Sequence, residues 1–82
     1  MEHDDNTICG VIRARLASGT LPGFDGQQMF AGRGDMRSCV CCDNVITTDQ
    51  VQYDVISVDQ SVLAMHLKCF NLWCQESSAY QR

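Results

Sequence analysis

"CVCC" at residues 39–42 and "MHLKCF" at residues 65–70 hold four of the six cysteines and one of the two histidines of this 82-residue chain. Whether these groups are metal ligands, disulfide partners or a redox pair decides the fold. Cys39 and Cys42 form a C-x2-C pair, His66 and Cys69 form an H-x2-C pair, and 23 residues separate them. A structural zinc ion takes four tetrahedral thiolate or imidazole ligands, commonly supplied as two such pairs, each from one short stretch of backbone. The spacing therefore predicts a Cys3His site holding one structural Zn2+. Cys41 cannot replace Cys39 or Cys42 without breaking the two-residue gap, so it is read as a side chain beside the ion.

Working outward, "QVQYDVIS" alternates, with Val51, Tyr53 and Val55 on one face and Gln50, Gln52 and Asp54 on the other. "VDQS" breaks the alternation and "VLAM" resumes it, which predicts a β-hairpin over residues 50–65 with its turn near Asp59 and Gln60. The first cysteine pair falls in a tight turn whose Asp43 and Asn44 tolerate unusual backbone angles. The second pair is expected in the first turn of a helix over residues 66–77, where dipole and unpaired amides favour thiolate. His66, Cys69, Phe70, Trp73 and Cys74 share one stripe of that helix. Knuckle, hairpin and helix follow one another in the order of a treble-clef zinc domain.

Ahead of this unit, Ile8, Val11, Ile12 and Leu16 recur at helical spacing, predicting an amphipathic helix over residues 7–18 capped by Asn6 or Thr7. Asp4 and Asp5 lie near its positive end and Arg13 and Arg15 toward its negative end. Gly19 suits the left-handed position that ends a helix, and Pro22 prevents continuation. Residues 19–38 hold no regular period and are read as an irregular connection with Met29 and Phe30 pinned into the core. The "RGD" at residues 33–35 is read as a chance match, Cys9 and Cys74 as buried apolar side chains, and His3 as having no role. The expectation is one α+β domain over residues 1–82, with helix, connection and a zinc-binding core over residues 39–77.

A chain this short buries too little apolar surface to be stabilised by its core alone; disulfides, a structural metal or oligomerisation usually make up the deficit, and six cysteines favour the first two. No basic segment precedes an apolar run at the start, and nothing approaches the roughly 20 apolar residues of a membrane span. A cytoplasmic protein follows as the expectation, and in a reducing cytosol cysteines hold metal more readily than they form bridges. The net charge of −4 argues against a general polyanion binder. Arg33, Arg37 and Lys68 flank the cysteine motifs and define the nucleic-acid-binding alternative. A four-ligand site leaves no position for substrate, and no H-E-x-x-H, phosphate loop or deaminase motif is present. The C-x-x-C of Cys39 and Cys42 also suits thiol redox or sensing, without the βαβ context of thioredoxin. The reading is a non-enzymatic module that binds an unassigned protein partner or regulates one, with exposed parts of residues 21–38 as a candidate contact surface and a plain structural wrap as the alternative for that segment.

The run Ile12, Arg13, Leu16, Gly19, Leu21, Pro22, Ala31, Gly32, Gly34, Cys39, Cys42, Ile46, Gln50, Tyr53, His66, Cys69, Phe70 and Trp73 resembles a group of short bacterial proteins of unassigned function. The resemblance covers residues 11–74 and is most specific at H-x2-C-F-x2-W. It implies a bacterial cytoplasmic protein with a zinc-binding C-terminal half, and no activity. More distantly, C-x2-C followed by H-x2-C is similar to the finger of poly(ADP-ribose) polymerases that recognises DNA breaks. Here the interval is shorter and the domain acidic, so only the ligand roles of Cys39, Cys42, His66 and Cys69 transfer.

Overall fold

The computed structural model describes residues 5–80, the side chain of Tyr80 excepted. His3 and Asp4 lie outside these residues. The elements run α1 (Asp5–Ser18), β1 (Met29–Arg33), β2 (Val51–Ile56), β3 (Val62–His66) and α2 (Leu67–Tyr80). The strands form one antiparallel sheet in the order β1-β2-β3, so the expected α+β class holds.

In α1, Ile8, Ile12 and Leu16 are buried, one turn apart, as the periodicity predicts. The helix starts at Asp5, so Asn6 and Thr7 lie inside its first turn and do not cap it. Lys68 reaches Asp5 at 2.8 Å and thereby fastens the start of α1 to the start of α2. Farther along, Arg13 meets Glu76 at 2.7 Å. Gly19 has φ 79°, and the amides of Gly19 and Leu21 donate to the carbonyls of Leu16 and Arg15. These bonds satisfy acceptors that the helix end would otherwise leave bare.

Two features of residues 19–38 correct the sequence reading. Met29–Arg33 is a strand, paired residue by residue with β2 from Met29↔Val55 to Arg33↔Val51. Its propensity is poor, and it is held as a strand by the neighbour's ladder. Phe30 is not in the core: it is 58% exposed, while Met29 is half-buried against the core. The earlier part of the segment is anchored, because Trp73 Nε1 donates to the Pro22 carbonyl at 2.8 Å and Phe24 meets the Trp73 ring edge-on at 5.5 Å.

The hairpin forms as expected, with Tyr53↔Met65 and Val55↔Leu63 in register and Gln60 at φ 71° in the turn. Val55 and Met65 are fully buried, and Tyr53 stacks on Phe70 of α2 at 4.4 Å, so this face of the sheet packs under the helix. The opposite face is not uniformly polar and open. Gln52 is buried there, its Oε1 accepting the Asp35 amide at 3.1 Å and its Nε2 donating to Asp54 at 2.7 Å. A buried amide is stable only when its polar atoms are paired in this way. The terminal helix begins at Leu67, one residue later than expected, which leaves His66 as the last residue of β3.

Candidate metal centre

The knuckle is built by backbone before any side chain is considered. Residues 36–46 fold back on themselves: Met36 N–H donates to the Ile46 carbonyl and Ile46 N–H to Arg37. Cys39 N–H then donates to Asn44, and Asp43 N–H to Cys39, each at 2.9 Å. Asp43 takes φ 65°, a conformation that Asp tolerates better than most side chains. In the resulting turn Cys41 N–H points at Cys39 Sγ, 3.4 Å away.

The hairpin carries the second pair to the first. Val40 N–H donates to the Ala64 carbonyl at 3.0 Å, docking the knuckle along the outer edge of β3. His66 ends that strand, and Cys69 follows in the first turn of α2. As a result one ligand atom from each of Cys39, Cys42, His66 and Cys69 lies within 4.8 Å of every other. His66 Nδ1 is 3.4 Å from Cys42 Sγ and 3.9 Å from Cys69 Sγ. Its Nε2 faces the Val45 carbonyl at 3.3 Å. That carbonyl can only accept, so it holds the proton on Nε2 and leaves the Nδ1 lone pair directed at the sulfurs.

The thiols are free and strongly inequivalent. Hydrogen bonds from the Cys41 and Cys69 thiols hold Cys39 well below the ordinary thiol range, against the opposing effect of burial. Cys41 and Cys69 are pushed up, first by donating to Cys39 and then by burial. Burial is also what raises Cys42. Negative charge is thus favoured on Cys39, while its neighbours' protons are held more tightly. A divalent cation at the centre would replace those protons, since metal binding by cysteine releases them.

The four residues singled out by spacing are thus brought together, and Cys41 is not among them. It is fully buried, with its thiol 4.0 Å from the Cys69 carbonyl. Two contributors have no spacing signal: the Val45 carbonyl, and Arg15, which donates to the Val40 carbonyl and pairs with Asp43 at 2.9 Å. Arg15 thereby ties α1 to the knuckle. Of the three basic residues of the nucleic-acid alternative, Arg37 pairs with Asp35 at 3.1 Å and Lys68 with Asp5 at 2.8 Å, while Arg33 ends β1 with its side chain exposed. Gly34 of the "RGD" tripeptide is buried against the Ile46 and Thr47 carbonyls.

No protein-family model, curated protein or solved structure matches the chain. Among the described residues no helix is long and apolar enough to cross a membrane. The fold and site define a small α+β domain organised around a Cys3His cluster compatible with a metal ion.

Proposed function

We propose that Cys39, Cys42, His66 and Cys69 bind one structural Zn2+ in a treble-clef-like arrangement, and that the domain is a non-enzymatic protein-interaction or regulatory module. The observation that carries the site is the convergence of four ligand atoms within 4.8 Å of one another. A tetrahedral ion with ordinary Zn–S and Zn–N bonds sets its ligands about 3.6–3.8 Å apart. The 3.4 and 3.9 Å separations around His66 Nδ1 bracket that value. The donor set also suits zinc, with three thiolates and an imidazole oriented by a carbonyl. With every tetrahedral position taken by protein, the ion organises the chain and does not bind substrate.

For the interaction role, support comes from Phe30 and Met36, both 58% exposed and both within residues 21–38. Irregular segments presented by a rigid scaffold often carry contact residues. We assign the protein to the cytoplasm because the free thiols suit a reducing compartment.

Cobalt substitution tests the site. The Co2+ form should show the intense visible bands of a tetrahedral centre and a thiolate charge-transfer band. A weak octahedral spectrum would reject the assignment. The interaction role is tested by pull-down from the source cell with wild type and Met36→Ser. A partner lost with the variant supports this contact surface, and equal recovery argues against it.

A further inference from the structure

The two edges of the sheet are finished differently. At β3 the knuckle covers the edge through the Val40 to Ala64 bond. β1 forms the other edge. Ile56 N–H donates to the Gln28 carbonyl and Gly34 N–H to the Gln50 carbonyl, each at 2.9 Å. Hydrogen-bonded pairs alternate along an antiparallel ladder. Phe30 and Gly32, which lie between those two pairs, therefore bond to Asp54 and Gln52 of β2. The N–H and C=O groups of Met29, Ala31 and Arg33 then point away from the sheet, and no hydrogen bond to them occurs among the described residues.

The side chains of this edge are self-complementary. Phe30 and Gly32 lie on the face opposite the Tyr53–Phe70 stack. The Phe30 ring stands 58% exposed, and a Cβ placed on Gly32 would meet nothing within 4 Å. An antiparallel pairing of two copies about a two-fold axis at Ala31 sets each Phe30 opposite the other copy's Gly32. An aromatic ring covering a facing glycine is a stabilising cross-strand arrangement. Met29 falls opposite Arg33, so no like charges face each other. This register engages the outward groups of Met29, Ala31 and Arg33 together, whereas an axis at Phe30 leaves those of Arg33 unpaired.

We propose that β1 is a self-association strand, through which two copies of this chain join their sheets antiparallel about Ala31. The strand is short, so the contact lies at the small end of interface sizes, below about 1,200 Å² in total, and the dimer is reversible. An isologous contact of this kind closes after two copies and does not propagate. The inference does not depend on the metal reading.

The test is sedimentation and NMR hydrogen exchange on the full chain as purified, up to about 1 mM, a range that captures weak association. The average mass should rise with concentration. The amides of Met29, Ala31 and Arg33 should gain protection in step, while those of Phe30 and Gly32 stay protected throughout. Ala31→Pro removes an N–H that β2 does not use, and edge strands tolerate Pro at such positions. Phe30→Lys removes the covering ring and alters only an exposed side chain. Each should weaken association at least about ten-fold, as loss of a central contact does. Val58→Lys, at a hairpin tip that is 91% exposed, should leave association unchanged. If Ala31→Pro fails to fold, Phe30→Lys decides. A chain that stays monomeric with fast exchange at residues 29, 31 and 33 overturns the proposal. So does a dimer that survives Phe30→Lys undiminished.

Discussion

Adjacent cysteines in "CVCC" offer a sharp test of the ligand assignment, because Cys41 and Cys42 are both buried and only Cys42 points its sulfur at His66. Consider Cys42→Ala and Cys41→Ala. Structural zinc contributes roughly 10–16 kcal/mol of apparent binding energy; shared over four ligands, this is about 2.5–4 kcal/mol each, or some 10²–10³-fold in affinity. Cys42→Ala should weaken metal binding by that factor. Cys41→Ala removes one buried atom with a packing cost of about 1 kcal/mol. It leaves the backbone N–H bond from Cys41 to Cys39 Sγ in place and removes the thiol's own hydrogen bond to Cys39. Its metal affinity should therefore fall by only about ten-fold, because the thiol acts on the ligand Cys39 from outside and its other contact, to the Cys69 carbonyl, is long at 4.0 Å. Competition titration against a chromophoric chelator at pH 7 measures both. Equal losses in the two variants, or a larger loss in Cys41→Ala, would refute the assignment.

Other outcomes follow from the same structure. Gly34→Ala places a Cβ against the Thr47 carbonyl and 2.8 Å from the Ile46 carbonyl, so urea unfolding should show a loss of about 2 kcal/mol or more. Gly32→Ala, in open space, should stay within about 0.5 kcal/mol of wild type. Trp73→Phe leaves the Pro22 carbonyl without its donor and should cost about 2 kcal/mol in the same assay, with an unchanged denaturant slope. Hydrogen bonding from Arg13 holds the Glu76 carboxyl below its usual value near 4.5. The sign follows from the lowered native value: the ion pair's contribution is complete above the unfolded value and disappears as pH falls through the native one. Because Arg13 is largely exposed, solvent screens the pair and that contribution is small. Glu76→Gln should lose it at neutral pH and approach wild type in acid, as compared by urea unfolding at each pH.

The Cys3His cluster was readable because ligand spacing marks such a grouping more tightly than packing constrains composition. Cys39, Cys42, His66 and Cys69 carry that constraint in residue number alone. The hairpin was readable from the alternation of Val51, Tyr53 and Val55, and α1 from the recurrence of Ile8, Ile12 and Leu16. β1 was not, because four of its five residues are exposed and two are Ala and Gly, so no face is marked by apolar side chains. Its strand character comes from β2, a long-range partner that local pattern does not encode. Gln52 misled for the opposite reason: a polar residue at an apparently outward position is buried because the Asp35 amide and Asp54 satisfy it. The exchange of His66 from helix to strand reflects the usual uncertainty of a boundary, and it matters chemically. At the strand end its ring lies beside Val45, whose carbonyl orients it.

Native mass spectrometry of protein purified without added metal, repeated after denaturation in acid, bears most directly on the Cys3His centre. One zinc per folded chain is expected, released on denaturation, with loss of the far-UV signal of α2 when a chelator removes the ion at neutral pH. A folded chain that carries no ion and keeps its helical signal and dispersed amide spectrum would contradict that expectation.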